Sequence, residues 1–300
     1  MKIYRTLNFA KKIKNRKISS FFYKIGKLYI NCIYPLTNKK NNVGVSETSN
    51  IVVSLTTIPE RIDTVWLTVN TILNQTVKPK KVILWLSQEQ FKDKDLLPEK
   101  LLNLQNKGLT IAFCDDLKPH KKYYYTLKEY PNSTLITVDD DIFYPENLIE
   151  KLIETSKKYP NSVCCTWGHE VTFNDFGEIA PYSEWKKGVN DCRTPSHLLM
   201  PVGCGGVLYP PHIFEGTALL NKVLIKKLCL YTDDLWLKSM AVLNDIKAVR
   251  VDEDAKIYFS ILRTQNRGLH YSNVGKNKND EALRKILDEF PNVQKSLYMN

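Results

Sequence analysis

Residues 135–145 constrain this chain more than any other stretch. Leu135, Ile136, Thr137 and Val138 read as a buried strand that runs directly into Asp139, Asp140 and Asp141, and Pro145-Glu146 opens a helix just beyond. Negative charge is thereby concentrated at the carboxyl end of a strand, the edge at which open α/β sheets bind ligands. Three adjacent carboxylates repel one another unless a cation sits among them, and hard ions such as Mg2+ or Mn2+ prefer oxygen donors of this kind. The triplet predicts a metal, and the metal predicts phosphate. The competing reading is a solvated turn or a helix cap, but capping needs one carboxylate and not three.

Charge is distributed unevenly along the 300 residues. The net charge is +11, yet eleven of the 43 Lys and Arg residues fall in residues 1–46, which contain no Asp or Glu. What remains matches the 32 acidic residues one for one, so the body is neutral and a nucleic-acid partner is not expected. The basic residues of the arm alternate with Ile3, Leu7, Phe9, Ile13, Ile18, Phe21, Phe22, Ile25, Leu28 and Ile30. This is the pattern of a helix lying in an anionic membrane surface, with a helical hairpin packed on the domain as the alternative. No apolar run reaches spanning length, and basic residues interrupt every candidate signal-peptide core. The seven cysteines lack C-x-x-C spacing, which points to reduced core residues and a cytoplasmic location, peripheral at the inner membrane face if the arm binds lipid.

The body alternates strand and helix. After a polar linker at 37–50, residues 51–56 form a first buried strand. A helix follows with Val65, Val69, Ile72 and Leu73 inward, then strands at 81–86 and 109–113 separated by a helix near 98–106. A short helix at 121–130, the strand ending at Asp139, a helix at 145–159 and a strand at 163–166 complete the series. Such alternation implies an α/β fold with a mostly parallel sheet flanked by helices. Beyond Trp167 the rhythm breaks into an aromatic and Gly-rich region through Pro211, expected to shape a pocket and not a sheet. Asp233-Asp234 opens a helix to 243, residues 248–251 form a last strand, the loop at 263–279 is a lid candidate, and a final amphipathic helix carries Leu283, Ile286, Leu287 and Phe290.

Four landmarks in order carry a resemblance: the residues from Thr57 to Arg61 after the first strand, the Asp triplet, the segment from Gly203 to Pro211, and Asp233-Asp234-Leu235-Trp236. Together they resemble a nucleotide-sugar-dependent glycosyltransferase of the GT-A fold, of the bacterial polysaccharide type and more distantly exostosin-like. Beyond the basic arm, taken as 1–48, the resemblance, which covers about residues 51–251, implies a Rossmann-like GT-A domain at 49–300, with a nucleotide-binding half at 49–166 and an acceptor-binding half with the lid at 167–300. It implies that Asp139 and Asp141 hold Mn2+ or Mg2+ on the diphosphate of a nucleotide-sugar, with uridine the expected base, and that His270 adds a third ligand. Thr56, Arg61, Lys121, Lys122, Asp139, Asp140, Gly205 and Gly206 would contact the donor. Asp234, with Asp233 beside it, would take the proton of the hydroxyl of a glycan or lipid-linked glycan acceptor in an inverting enzyme, or orient the acceptor or donor sugar in a retaining one. Trp167, Trp185 and Tyr209 are candidates to stack on sugar rings.

Each assignment has a simpler counterpart: Arg61 and the Lys pair as solvated surface cations, Asp233-Asp234 as a helix cap, Gly205-Gly206 as a turn, and the lone His270 as structural. Among other enzymes, a sugar-phosphate nucleotidyltransferase would show a Gly-rich phosphate loop after the first strand, and residues 56–61 contain no glycine. A phosphatase with an aspartate nucleophile would place its acidic pair after an early strand. A non-enzymatic membrane-surface protein would account for the arm but not for the triplet.

Overall fold

The computed structural model describes residues 16–37, 43–93, 96–252, 258–262, 264 and 278–298. In chain order these form α1 (Arg16–Thr37), β1 (Ile51–Thr56), α2 (Val65–Leu73), β2 (Lys81–Ser87), α3 (Glu99–Leu102), β3 (Leu109–Cys114), α4 (Lys121–Glu129), β4 (Thr134–Thr137), β5 (Ile142–Phe143), α5 (Leu148–Lys158), β6 (Val163–Cys165), β7 (Gly168–Glu170), β8 (Leu199–Pro201), β9 (Val207–Tyr209), α6 (Lys222–Leu228), α7 (Asp233–Leu243), β10 (Ala248–Arg250), β11 (Phe259–Ser260), α8 (Lys278–Glu289) and α9 (Asn292–Tyr298).

Seven strands make one sheet in the order β3-β2-β1-β4-β9-β6-β10. Strand β1 pairs in parallel with both β2 and β4, so the chain winds outward through β2 and β3 and then returns to the other side of β1. The gap between the carboxyl ends of β1 and β4 is thus the topological switch point, where a doubly wound sheet leaves a crevice. Strand β9 runs antiparallel between β4 and β6 and joins the parallel pair β6-β10 to the rest.

The alternation of strand side chains sorts the core into two layers. Ile136 and Val138 face the cluster that contains Val53, Leu55 and Leu84 with α2 and α5, whereas Leu135 faces Tyr123 of α4 and Leu235 and Trp236 of α7. These layers fix which way the carboxylates after Val138 turn. Helix α1 packs a third cluster, with Ile30 and Tyr34 against Phe143 of β5 and Phe259 and Ile261 near β11.

The α/β architecture, the parallel sheet and most elements match expectation, with local differences. The helix expected at 145 starts at Leu148, because Ile142-Phe143 first pairs with β11 and Pro145, lacking an N–H, occupies the connecting turn. The helix near 98–106 is reduced to a single α turn and a separate 3-10 turn, Gln105–Lys107, closed by Gly108. The region from Trp167 to Pro211, expected to hold no sheet, supplies β9 to the centre of the main sheet and the small β7-β8 pair. Three buried residues are too few to display a period, which hides such a strand in the sequence. The arm does pack on the domain through α1. The lid candidate falls almost wholly, and His270 entirely, outside the described residues.

Gly206 enters β9 with φ +86 and ψ 128, and an added Cβ would lie 3.2 Å from the Leu148 side chain. Gly206→Ala is therefore expected to lower stability by about 1–3 kcal/mol, read as an earlier midpoint in urea; an unmoved midpoint would show that β9 does not depend on this backbone conformation.

Candidate active site

At the switch point a cavity of about 550 Å³ opens, lined by Thr56, Thr57 and Arg61 from the end of β1, Asp139, Asp140 and Asp141 from the end of β4, Lys118, Lys121 and Lys122 around the start of α4, and Asp233 and Asp234 at the start of α7. Its size suits a small-molecule ligand. At the end of β4 the first two carboxylates leave on opposite sides, Asp139 toward Lys122 and Asp140 toward Arg61.

Asp140 turns toward α2. Its Oδ2 accepts a hydrogen bond from Thr57 Oγ1 and its Oδ1 is 2.5 Å from Arg61 Nη1, while its carbonyl accepts from Thr68 Oγ1 at 2.9 Å. Arg61 Nη2 also stands 3.4 Å from Asp141 Oδ2 and donates to the Thr264 carbonyl. Both oxygens of Asp140 are thus engaged inside the protein, and this carboxylate anchors the loop.

Asp139 turns toward α4 and α7. Its Oδ1 lies 2.9 Å from Lys122 Nζ, and the same ammonium lies 2.9 Å from Asp233 Oδ2. The N–H of Asp139 donates to Tyr144 Oη, whose hydroxyl in turn donates to the Cys204 carbonyl. Asp234 Oδ2 accepts from the Gly203 N–H at 3.1 Å. A Cβ on Gly203 would come within 2.8 Å of Lys122 Nζ and 3.2 Å of both Asp139 Oδ1 and Asp234 Oδ1. Only a glycine admits the backbone to this cluster. Lys122 therefore ties the end of β4 to the start of α7. Removing one partner of such a buried pair typically costs about 3–5 kcal/mol.

Burial and mutual repulsion shape the charge states. Burial opposes the Lys122 ammonium, but Asp139, Asp233 and Asp234 hold its pKa well above the ordinary lysine value. Burial pushes Asp233 up most strongly, yet Lys122, His120 and a backbone hydrogen bond together outweigh it and keep that carboxyl below its usual range. Asp234, buried and next to the ionised Asp233, is raised to about 7. Asp141 is likewise raised to about 7, by burial and by the charge on Asp140.

Five carboxylates in this cluster, Asp139, Asp140, Asp141, Asp233 and Asp234, are met by the two cations Arg61 and Lys122. That excess fits a divalent cation. Asp139, a third of whose side chain is exposed, and Asp141 supply hard oxygen donors at the cavity wall. Among the described residues no three His, Cys, Asp or Glu side chains converge in a closed metal cage. An open pair suits an ion that draws its remaining ligands from water and a phosphate.

The other expected residues divide. Thr56 and Lys121 line the cavity, but Thr56 Oγ1 donates to the Trp85 carbonyl and Lys121 Nζ is 2.6 Å from Asp116 Oδ1. Gly205 and Gly206 do not line it: a Cβ on Gly205 would strike Trp167 and Thr166, and one on Gly206 would approach Leu148. Val202 and Cys204 stand at the wall instead. The cavity wall does not include Trp167, Trp185 or Tyr209; the latter two are buried in the core, with Trp185 Nε1 bonded to the Ala180 carbonyl. The aromatics that do face the cavity are Tyr23, Tyr182, Tyr231 and Tyr258; Tyr182 belongs to the aromatic region expected to shape a pocket and Tyr23 to the basic arm, while Tyr231 and Tyr258 carried no signal among sixteen tyrosines. Lys118 was also missed. It adopts φ +51, its N–H donates to Asp116 Oδ1, and the signal was the Asp116-Leu117-Lys118-Pro119 turn.

No protein-family model matches the sequence, and no curated protein does. Among solved structures, the mannosyltransferase PcManGT from Pyrobaculum calidifontis, in complex with GDP-Man and Mn2+, superposes with a TM-score of 0.51 over 92% of this chain and 79% of that one, at 11% identity. Residues 1–349 of S. aureus TarS superpose with a TM-score of 0.45 over 79% of this chain and 70% of that one, at 15% identity. The 4-diphosphocytidyl-2C-methyl-D-erythritol synthase from Anaerococcus prevotii superposes with a TM-score of 0.45 over 77% of this chain and its own full length, at 15% identity. At such identities the likeness to the mannosyltransferase is one of fold, and the fold is GT-A-like: a mostly parallel seven-stranded sheet flanked by helices.

Proposed function

We propose that this protein is a metal-dependent glycosyltransferase that moves a sugar from a nucleotide-sugar to a hydroxyl of a glycan or lipid-linked glycan. The observation that carries the proposal is the Lys122 bridge. One ammonium holds Asp139, on the side where a metal and diphosphate would rest, and Asp233, whose neighbour Asp234 is raised to about 7 by burial and by the charge of Asp233. Fold likeness to a mannosyltransferase crystallised with GDP-Man and Mn2+ agrees with it. A UDP-sugar is the first donor to test, with GDP-mannose beside it. The setting we propose for the reaction is the cytoplasm, peripheral at the inner membrane face if the basic arm binds lipid.

Asp139 and Asp141 would hold Mn2+ or Mg2+, and the ion when bound neutralises charge developing on the leaving diphosphate. Thr57 and Arg61 hold Asp140 turned inward and offset part of the burial that raises its carboxyl, which orients the carboxylates on either side of it. Lys122 adds fixed positive charge next to the diphosphate without reorganisation. Asp234 accepts the proton of the acceptor hydroxyl, which requires it to be ionised; a pKa near the working pH suits that task. Glycine at 203 lets the backbone hold Asp234 in place by its N–H.

Nucleotide release should require divalent metal, stop in chelator, and fall by about 100-fold or more in Asp139→Asn. Release that persists in chelator would sink the metal role, and release of pyrophosphate would move the protein to the nucleotidyltransferases.

Because the Asp234 carboxyl is raised to about 7, protonation below that pH removes the base. The rate of transfer should climb as pH rises through about 7 and level off above it, and Asp234→Asn should abolish transfer across the range. A profile that stays flat from mildly acid to mildly alkaline buffer would exclude Asp234 as the base.

A further inference from the structure

Helix α1 has two apolar faces, and the domain covers one. Tyr23, Ile30 and Tyr34 point inward, where Tyr23 stacks on Phe259 with ring centroids 5.2 Å apart, Tyr34 meets Phe143, and Asn31 bonds to the Ser260 carbonyl and the Leu262 N–H. On the opposite side Ile18, Phe21, Phe22, Ile25, Leu28, Tyr29 and Leu36 are exposed, with Phe21 at 60% and Leu28 at 58%. At α-helical spacing these seven fall within an arc of about 120° and run for about 27 Å. Singly exposed apolar residues need no explanation, but a continuous stripe marks a contact surface.

We infer that this outer stripe is a docking face for an anionic lipid bilayer, on which α1 lies parallel to the surface. Charge selects the occupant. The helix carries Lys24 and Lys27, and residues 1–46 hold eleven basic residues and no acid. Two copies meeting through this arm would bring like charges together, whereas anionic headgroups complement them. Among the described residues no helix is long and apolar enough to cross a membrane, which leaves the surface as its place. The inner face has a second consequence. Tyr23 lines the cavity, and Phe143 follows Asp141 by two residues, so the helix that meets lipid is also a wall of the candidate active site. An acceptor anchored in the bilayer would reach the cavity along α1. The inference deepens the glycosyltransferase proposal by assigning its acceptor to the membrane surface, but the docking face rests on α1 alone.

The test is sedimentation of the full chain with vesicles of phosphatidylglycerol and phosphatidylcholine against pure phosphatidylcholine, without donor or acceptor. The wild type should bind the anionic vesicles at least about tenfold more tightly, and less so in high salt. Phe21→Asp with Leu28→Asp should lose at least about tenfold in binding while keeping the thermal midpoint and nucleotide release in solution. Lys24→Glu, at the border of the stripe, should weaken binding to anionic vesicles alone. Equal sedimentation of the wild type and the Phe21→Asp, Leu28→Asp protein would overturn the inference. So would a dimer, seen by light scattering, that those two substitutions dissociate in a protein that binds no vesicle. Vesicle binding without nucleotide release would instead retain the docking face and reject the enzymatic proposal.

Discussion

Desolvated negative charge is the constraint on which this structure turns. Carboxylates placed at the end of a buried strand lose most of their hydration, and their cost must be met by cations and donors fixed nearby. Arg61 and Thr57 meet it for Asp140, and Lys122 meets it for Asp139 and Asp233 together. These partners come from two places in the chain, the end of β1 and the start of α4. The ends of β1 and β4 and the starts of α4 and α7 are consequently held around one cavity by ionic contacts as well as by the sheet.

The sheet supplies the geometry that makes this possible. Alternation along β4 sends Ile136 and Val138 to one layer and Leu135 to the other, and the same alternation parts Asp139 from Asp140. One carboxylate can then anchor the loop against α2 while its neighbour faces the site. Strand β9 extends the arrangement by bringing the segment from Gly203 to Gly206 beside β4, where Gly203 meets Lys122, Asp139 and Asp234. A parallel continuation would have placed this turn at the other end of the sheet.

Helix α1 shows how one element can serve two surroundings. Its inner residues Tyr23, Ile30 and Tyr34 pack against the domain and its outer residues stay exposed, although the outer set is mostly Ile, Leu and Phe. The sequence alone offered membrane contact and packing on the domain as alternatives. The two faces of one helix make them compatible.

Much of this protein was legible from residues alone, because local physics writes them into the chain. Apolar runs bounded by turns gave β1, β2, β3 and β4, and the triplet and Asp233-Asp234 stood out by charge at the ends of predicted elements, whereas Arg61 and Lys122 were singled out only by the family resemblance. What sequence could not supply was any relation between distant positions. Nothing local places Lys122 between Asp139 and Asp233, selects Gly203 over Gly205 and Gly206, turns Val207–Tyr209 into a central antiparallel strand, or puts Tyr182 and Tyr231 at the cavity while burying Tyr209. Those choices follow from which strands lie side by side and which way their side chains face. A chain read in one dimension carries the propensities and the charges, while their convergence is decided only when the sheet closes around them.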